Sequence, residues 1–182
     1  MEGLLLRAGA GGLTARWPRA EPLTTRRLVL EPLRVEHARE LAPVLDDPAL
    51  HAFTGGEPLT EAQLADRYAR QVAGHSPDGT AGWLNWVARD RATQAPVGTV
   101  QATITEAGAE LAWVIVTSRQ GEGLATEAAA AAIEWLRGRG VTSFAAHIHP
   151  GHAASAGVAR HLGFVAADER KDGEVRWVAG GG

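Results

Sequence analysis

The stretch from Gln120 to Thr126 places two glycines between a continuous apolar run, residues 111–116, and a long alanine-rich segment. The apolar run predicts a strand covered on both faces, and the alanine-rich segment predicts a helix. A chain that leaves a buried strand, turns on glycines and opens a helix exposes the N–H groups of the first helical turn. These groups and the helix dipole form an anion site, and glycine lets the backbone approach a phosphate closely. The sequence therefore predicts an α/β fold with a phosphate-binding loop at residues 120–126.

The rest of the chain predicts one domain without a linker that would divide it. Its length of 182 residues is usual for a single domain with a buried core. Residues 1–22 are rich in Gly, Ala and Arg and lack a sustained period, so we expect a flexible N-terminal extension there and the domain at residues 23–179. Apolar periodicity predicts strands at residues 27–33, 83–88, 97–105, 111–116, 144–149, 164–167 and 174–178, and helices at 35–45, 60–74, 124–138 and 154–161.

The charge balance and the absence of cysteine exclude several classes of function. The net charge is −3 and the isoelectric point is about 6.2, whereas nucleic-acid phosphates require a clustered excess of Lys and Arg. Without cysteine the chain has no disulfide and no thiolate nucleophile. No apolar run reaches the roughly 18 residues of a membrane-spanning helix, and Glu2 stands where a signal peptide carries basic residues. We expect a cytoplasmic protein that binds neither nucleic acid nor membrane.

The glycine stretch resembles the diphosphate-binding loop of the GNAT superfamily of N-acetyltransferases. That motif is Gln or Arg, two residues, Gly, one residue, then Gly or Ala, and Gln120, Gly123 and Ala125 stand at these positions. A downstream signature and the start of the predicted domain are similar to the branch of ribosomal-protein N-terminal acetyltransferases, the RimJ and RimL type, and its small-molecule-modifying relatives. The residues that match are Leu23–Leu30, Pro150, His152, Ala154, Ser155, Val158, Ala159, Leu162, Gly163 and Phe164.

This resemblance implies a fold, a cosubstrate and a set of binding residues. The fold would be the α/β acyl-CoA N-acyltransferase fold, a mixed, mostly antiparallel sheet of about six or seven strands flanked by about four helices. Acetyl-CoA would donate the acetyl group to a primary amine on a peptide N-terminus or a small molecule, and homodimers are common in the branch. Backbone N–H groups would be freed at Ile115 and Val116, where the central strand splays. The other residues expected to bind acetyl-CoA are Gln120, Gly121, Glu122, Gly123, Leu124, Ala125, Thr126, His152 and Ser155.

Acetyl transfer to an amine requires a neutral nucleophile, a polarised thioester carbonyl and a proton for the departing thiolate. Direct attack, without an acyl-enzyme, is the usual course in the superfamily. Many members protonate the thiolate with a tyrosine four residues before Gly163, but this chain carries Ala159 there. A serine of the Ala-Ser signature lies near the thiol in the branch, so Ser155 is the candidate donor. Glu110 and His149 are both candidate proton acceptors for the amine, and the sequence does not choose between them.

Two other functions stay open at this point. The first is a module that binds acyl-CoA without catalysis. The chain lacks the usual tyrosine, and His152 replaces the Asn of the family pattern, so this function stays possible. A metal-dependent enzyme would use His147, His149 and His152, of which the first two share a strand face. No acidic ligand accompanies this cluster, so we expect no metal. Tyr68, the only tyrosine, lies on an apolar helical stripe and is expected in the core.

Overall fold

The computed structural model describes residues 16–53 and 56–180. They form an α/β domain in which five helices flank an eight-stranded sheet, which confirms the predicted fold with slightly more elements than expected. Within this range no helix is both long and apolar enough to cross a bilayer. The elements are β1 Leu23–Thr24, β2 Leu28–Pro32, α1 His37–Leu45, α2 Pro48–His51, α3 Glu61–Gln71, β3 Gly82–Asp90, β4 Pro96–Thr105, β5 Gly108–Ile115, α4 Leu124–Arg137, β6 Ser143–Ile148, α5 Ala153–His161, β7 Val165–Lys171 and β8 Glu174–Gly180.

The strands lie in one sheet in the order β1-β2-β3-β4-β5-β6-β8-β7. Neighbouring strands run antiparallel everywhere except between β5 and β6, which are parallel. Parallel neighbours need a crossover connection, and α4 provides it across one face of the sheet. The closing hairpin places β8, not β7, beside β6, so the last strand of the chain lies inside the sheet.

Helix α4 covers one face of the sheet and forms the larger core with it. Ala128 and Ala132 have no exposed surface, and their small side chains let the helix lie close to the strands. Leu84 and Trp86 of β3 are fully buried in the same core. This packing holds the first turn of α4 at a defined place beside the end of β5.

Helices α1 and α3 cover part of the opposite face. A smaller core of Ala38, Leu41, Leu64 and Tyr68 surrounds Val87 there. Tyr68 is 4% exposed, so the expectation of a core tyrosine is confirmed, and burial raises its pKa to about 12. The two helices contact mainly β3 and β4, so the residues that the structure describes leave this face of the sheet largely uncovered over β5, β6 and β8.

Local sequence signals place several helix boundaries. The Thr60 hydroxyl accepts the N–H of Gln63, and the Gln63 side chain accepts the N–H of Thr60, a reciprocal cap at the start of α3. Asp47 accepts the N–H of Ala49 at the start of α2, as its position before Pro48 predicts. Pro43 lies inside α1, and the helix ends two residues later, at Leu45.

The described part of the predicted N-terminal extension, residues 16–22, packs against the domain. Trp17 is 9% exposed, and its indole N–H donates to the Gly79 carbonyl at 3.0 Å. The Glu21 carbonyl accepts the indole N–H of Trp86 at 2.8 Å. These contacts make residues 16–22 part of the packed structure, while the boundary at residue 23 stays a prediction. Residues 1–15 lie outside the described residues.

Candidate active site

The sheet opens between β5 and β6, its parallel pair of strands. Only Ala109 and Glu110 of β5 are in register with residues of β6. Beyond Glu110, β5 continues to Ile115 beside β4, and no further pairing joins this part of β5 to the described length of β6. The strands therefore splay apart and leave a cleft lined by backbone.

The N–H groups that face this cleft follow from the register of β4 and β5. Val116 donates its N–H to the Val97 carbonyl at 2.9 Å, so it points toward β4, and the expectation of a free N–H at Val116 is wrong. Because hydrogen-bonding direction alternates along an antiparallel strand, the N–H groups of Trp113 and Ile115 point into the cleft. The Gln120 side chain donates to the Ile115 carbonyl at 2.9 Å, which holds the start of the loop against the end of β5.

The glycine loop leads directly into the first turn of α4. Gly121 and Gly123 have φ values of 79° and 76°, in the left-handed region that favours glycine. Gly123 is the N-cap residue, and no side chain caps the helix. The N–H groups at Leu124, Ala125 and Thr126 therefore have no capping side chain among the residues that the structure describes. This is the geometry of an anion-binding helix start.

Arg27, a residue for which the sequence suggested no role, connects this loop to the start of β2. Its Nη1 donates to the Glu122 carbonyl at 2.8 Å, and its Nε donates to the Glu127 carboxylate at 2.7 Å. The Thr25 hydroxyl and the Arg27 N–H also donate to Glu127. Burial acts to raise the pKa of Glu127, but these hydrogen bonds outweigh it and lower the pKa, so the carboxylate stays charged. The contacts anchor the start of β2 to the first turn of α4.

The Glu122 side chain is paired with a neighbouring cation. Arg119 donates to both oxygens of the Glu122 carboxylate, at 2.9 and 3.0 Å, and also to Asp90 at 3.1 Å. These bonds lower the pKa of Glu122. Arg119 thus offsets the charge of the one carboxylate inside the loop, which favours an anion at the adjacent N–H groups.

His152 and Ser155 form one hydrogen-bonded unit at the start of α5. His152 Nδ1 accepts the N–H of Ser155 at 3.3 Å, and its Nε2 lies 3.3 Å from Ser155 Oγ. A neutral imidazole that accepts at Nδ1 carries its proton on Nε2, so Nε2 donates to the serine oxygen. The Ser155 hydroxyl keeps its own hydrogen for another acceptor. Burial lowers the pKa of His152, which favours this neutral ring near pH 7.

His149 lies beside the same unit but is poorly suited to accept a proton. Its Nδ1 accepts the N–H of Gly151 at 3.0 Å, so the neutral ring carries its proton on Nε2 and has no free lone pair. Phe53, from the segment after α2, lies with its ring centroid 5.5 Å from His149 and 4.4 Å from His152. The three rings form an aromatic rim next to Ser155.

Glu110 and His147 lie side by side on the open face of the sheet. His147 Nδ1 is 3.1 Å from Glu110 Oε1. The Glu110 side chain is 51% exposed and that of His147 14%, so the carboxylate is reachable from solvent while the imidazole is held beneath it. The sequence singled out both residues but assigned His147 only to a metal cluster. The two side chains are in contact where the β5–β6 pairing ends.

The three histidines do not converge as a metal site. His147 contacts Glu110, whereas His149 and His152 lie against Phe53. Across residues 16–53 and 56–180, no group of three His, Asp or Glu side chains is arranged to hold a metal ion. The position of the usual tyrosine is taken by Ala159, which is fully buried.

A cavity of about 770 Å³ lies at the opposite end of the sheet from the β5–β6 cleft. It is lined by residues 16–18, the β4–β5 turn and the segment from Arg139 to Ser143. None of Glu110, Ser155 or the glycine loop lines this cavity. We assign the chemistry to the β5–β6 cleft, because the N–H groups of Trp113 and Ile115 face it and β5 leads from it into the glycine loop at the start of α4.

Splayed parallel strands beside an anion site at a helix start are the arrangement expected of a transferase that takes an acyl group from a nucleotide-linked thioester. The family described as the acetyltransferase (GNAT) domain matches residues 27–165. The chain therefore belongs to the GNAT acetyltransferase family, and it is an acetyl-CoA-dependent N-acetyltransferase.

Solved structures of acetyltransferases share this fold. A ribosomal-protein-S5-alanine acetyltransferase from Vibrio fischeri is 18% identical with a TM-score of 0.75, over 88% of this chain and 97% of that one. RimL, a ribosomal L7/L12 N-protein acetyltransferase in complex with coenzyme A, is 17% identical with a TM-score of 0.74, over 88% and 98%. AAC(6')-Ib in complex with paromomycin and acetyl-CoA is 17% identical with a TM-score of 0.72, over 85% and 93%. Among curated protein sequences, none matches the chain significantly.

Proposed function

We propose that this protein transfers the acetyl group of acetyl-CoA by direct attack to a primary amine, on a peptide N-terminus or a small molecule. The observation that carries the proposal is the position of the β5–β6 cleft directly beside the uncapped start of α4. The comparisons support both kinds of acceptor, because RimL is described as an N-protein acetyltransferase and the AAC(6')-Ib complex contains paromomycin.

The glycine loop would hold the diphosphate of acetyl-CoA. The first-turn N–H groups of α4 and the helix dipole favour an anion, and Arg27, bonded to the Glu122 carbonyl and paired with Glu127, holds the loop in place. The pantetheine arm and the thioester would then enter the cleft. There the N–H groups of Trp113 and Ile115 are placed to donate to a carbonyl oxygen, where negative charge develops during attack.

In the reaction, the nitrogen lone pair of the acceptor attacks the thioester carbonyl carbon. The C–N bond forms, the C–S bond breaks, and coenzyme A leaves as a thiolate. Nitrogen loses one proton and sulphur gains one, so the exchange is balanced overall. No cysteine is available for a thioester intermediate on the enzyme, and direct attack needs none.

Glu110 is the proton acceptor in this scheme. Its carboxylate is exposed to an incoming ammonium and lies 3.1 Å from His147 Nδ1. His149 is the weaker candidate, because its Nδ1 is occupied by the N–H of Gly151. At the other end of the reaction, the Ser155 hydroxyl donates a hydrogen bond to the departing thiolate, since His152 already donates to its oxygen.

The test is thiol release from acetyl-CoA with two acceptor pools, one of short peptides with free N-termini and one of small amines. We expect turnover in at least one pool, and about 100-fold lower kcat in Glu110→Gln and in Ser155→Ala. Glu134→Gln on the exposed face of α4 and Ser143→Ala at the start of β6 are matched controls that should retain wild-type rates. Acetyl-CoA binding without turnover in either pool would instead favour a non-catalytic sensor.

A further inference from the structure

The short helix α2 and its flanking residues connect the ends of the two strands that border the cleft. The Thr117 hydroxyl, two residues beyond the end of β5, donates to the carboxylate of Asp47, the N-cap of α2, at 2.5 Å. Six residues after Asp47, Phe53 packs against His149, the residue that follows β6. Because parallel neighbours end at the same edge of a sheet, residues 47–53 cross the β5–β6 cleft at this edge. We call them the α2 strap.

Hydrogen bonds hold the first half of the α2 strap. The Asp47 carboxylate accepts the N–H of Ala49 at 2.9 Å in addition to the Thr117 hydroxyl. The bond from Thr117 and the bond from Ala49 lower the pKa of Asp47, so the carboxylate that accepts them stays charged. His51 Nε2 lies 3.3 Å from the Leu45 carbonyl at the end of α1. The strap is thus attached both to α1 and to the segment that leads from β5 into the glycine loop.

At the other end of the strap, Phe53 lays a flat ring on the unit formed by His152 and Ser155. Its centroid lies 4.4 Å from that of His152 at an interplanar angle of 32°, closer than the 5.5 Å to His149. The phenyl ring also contacts Gly151, where an added Cβ would lie 3.5 Å from Phe53 Cε1. At this distance and tilt the phenyl ring covers one face of the imidazole and restricts its rotation.

The His152 ring depends on such support because its own hydrogen bonds are long. Nδ1 accepts the Ser155 N–H and Nε2 donates to Ser155 Oγ, each at 3.3 Å, so these bonds alone fix the ring weakly. Burial lowers the pKa of His152, and the neighbouring His149 acts in the same direction. Phe53 supplies part of this burial, since it covers one face of the ring.

We propose that Phe53 is a positioning residue: it holds the His152 ring where Nε2 donates to Ser155 Oγ, and the α2 strap holds Phe53 in place. This inference rests on the proposed role of Ser155, which donates a hydrogen bond to the departing thiolate. Without the phenyl ring the imidazole can rotate, and the Ser155 hydroxyl loses the donor that orients it. Phe53 therefore acts on the reaction through His152 and Ser155.

A double-mutant cycle between Phe53 and Ser155 separates positioning from other roles. The measured quantity is the single-turnover rate of thiol release with the acceptor pool that supports turnover. Phe53→Ala should lower this rate about tenfold, but by less than about twofold in Ser155→Ala, where the group that Phe53 acts through is already missing. Phe53→Tyr keeps the ring and should keep the rate. Val165→Ala, at another exposed apolar position, is the matched control and should also keep it.

Substitution of Thr117 tests whether the strap holds Phe53 in place. Thr117→Val removes the hydroxyl that is bonded to Asp47 and should lower the rate about threefold, again only where Ser155 is present. Thr142→Val, an exposed threonine just before β6, is the control and should keep the wild-type rate. A wild-type rate in Thr117→Val would overturn the role of the strap.

NMR titration of the histidines gives a readout that needs no turnover. In Phe53→Ala water reaches the imidazole, so the pKa of His152 should rise toward about 6.5, whereas Phe53→Tyr should keep the wild-type value. The signal of His152 is assigned by its loss in His152→Asn. An unchanged pKa, equal rate losses with and without Ser155, or a wild-type rate in Ser155→Ala would each overturn the inference and leave acetyl transfer standing. Absence of thiol release with every amine would overturn the proposed function, and the titration would still show whether Phe53 covers His152.

Discussion

At Ser155 and His152, the position of a single proton determines which atom can donate a hydrogen bond toward the cleft. The backbone N–H of Ser155 occupies His152 Nδ1, which leaves the imidazole proton on Nε2 and orients it toward Ser155 Oγ. The serine can then donate its own hydrogen toward the cleft. A cationic His152 could not accept the Ser155 N–H, so protonation breaks the cap of α5 and the orientation of the serine together.

The lowered pKa of His152 predicts a dependence of stability on pH. As pH falls below about 6.5, the unfolded state takes up the proton before the folded state does, so the free energy of unfolding decreases. In His152→Asn, whose side-chain oxygen can still cap α5, this part of the decrease should vanish. Urea unfolding at about pH 7 and about pH 5.5 measures it.

His161→Asn, an exposed histidine of the same helix, is the control and should keep the wild-type dependence on pH. The same loss of stability in wild type and in His152→Asn would contradict the assignment of the neutral, capping histidine.

At the scale of elements, the start of β2 and the start of α4 are connected through a carboxylate. Glu127 accepts hydrogen bonds from the Thr25 hydroxyl, the Arg27 N–H and the Arg27 Nε, and Arg27 also reaches the Glu122 carbonyl. The glycine loop is thus held from two sides, by Arg27 and by the Gln120 side chain on Ile115. A rigid loop keeps its N–H groups aimed at one place without a cost on binding.

Substitution of Glu127 by Gln should weaken this connection. The side chain is 18% exposed and accepts three hydrogen bonds, so we expect a loss of about 2 kcal/mol in the free energy of unfolding and a severalfold rise in KM for acetyl-CoA. Denaturant unfolding and steady-state kinetics measure the two effects. Glu134→Gln, on the exposed face of the same helix, should change neither; equal effects in both variants would show that the carboxylate has no particular role.

Whether a feature of these elements could be predicted from the sequence depended on how far apart in the chain the residues that cause it lie. The cap of Thr60 on Gln63 spans three residues and is readable in the sequence, as are the glycines of the loop. The pairing of Arg27 with Glu127 joins residues 100 positions apart, and no pattern in either segment indicates the other. Whether Ile115 or Val116 faces the cleft depends on the register of β5 against β4, which the apolar run does not reveal.

At the scale of the whole molecule, the two faces of the sheet differ in how far helices cover them. Helix α4 covers one face, while the described residues leave the other largely uncovered over β5, β6 and β8, where Glu110, His147 and Arg176 lie. The alternation of apolar residues predicted the strands, but the insertion of β8 between β6 and β7 is a matter of topology and could not be derived from it. A homodimer, a cytoplasmic location and the lack of a nucleic-acid partner stay predictions.

The packing of residues 16–22 predicts that this segment contributes to stability. Trp17 is 9% exposed and lies against Gly82, where an added Cβ would come within 2.6 Å of the tryptophan. Trp17→Ala should therefore lower the free energy of unfolding by about 3 kcal/mol. Val165→Ala, at a position 64% exposed, is the control and should change it by less than about 0.5 kcal/mol. A negligible effect at Trp17 would place the segment outside the folded domain.

The central claim is that acetyl moves directly from acetyl-CoA to an amine held at the β5–β6 cleft. Mass spectrometry of a single-turnover mixture of enzyme, acetyl-CoA and the acceptor pools tests it most directly, because it locates the acetyl group. We predict one acetyl group on the amine of an acceptor, none on the enzyme at any time, and slowed transfer in Glu110→Gln. An acetyl group that accumulates on the enzyme before it reaches an acceptor would contradict direct transfer, and acetyl-CoA that is bound but never consumed would contradict catalysis.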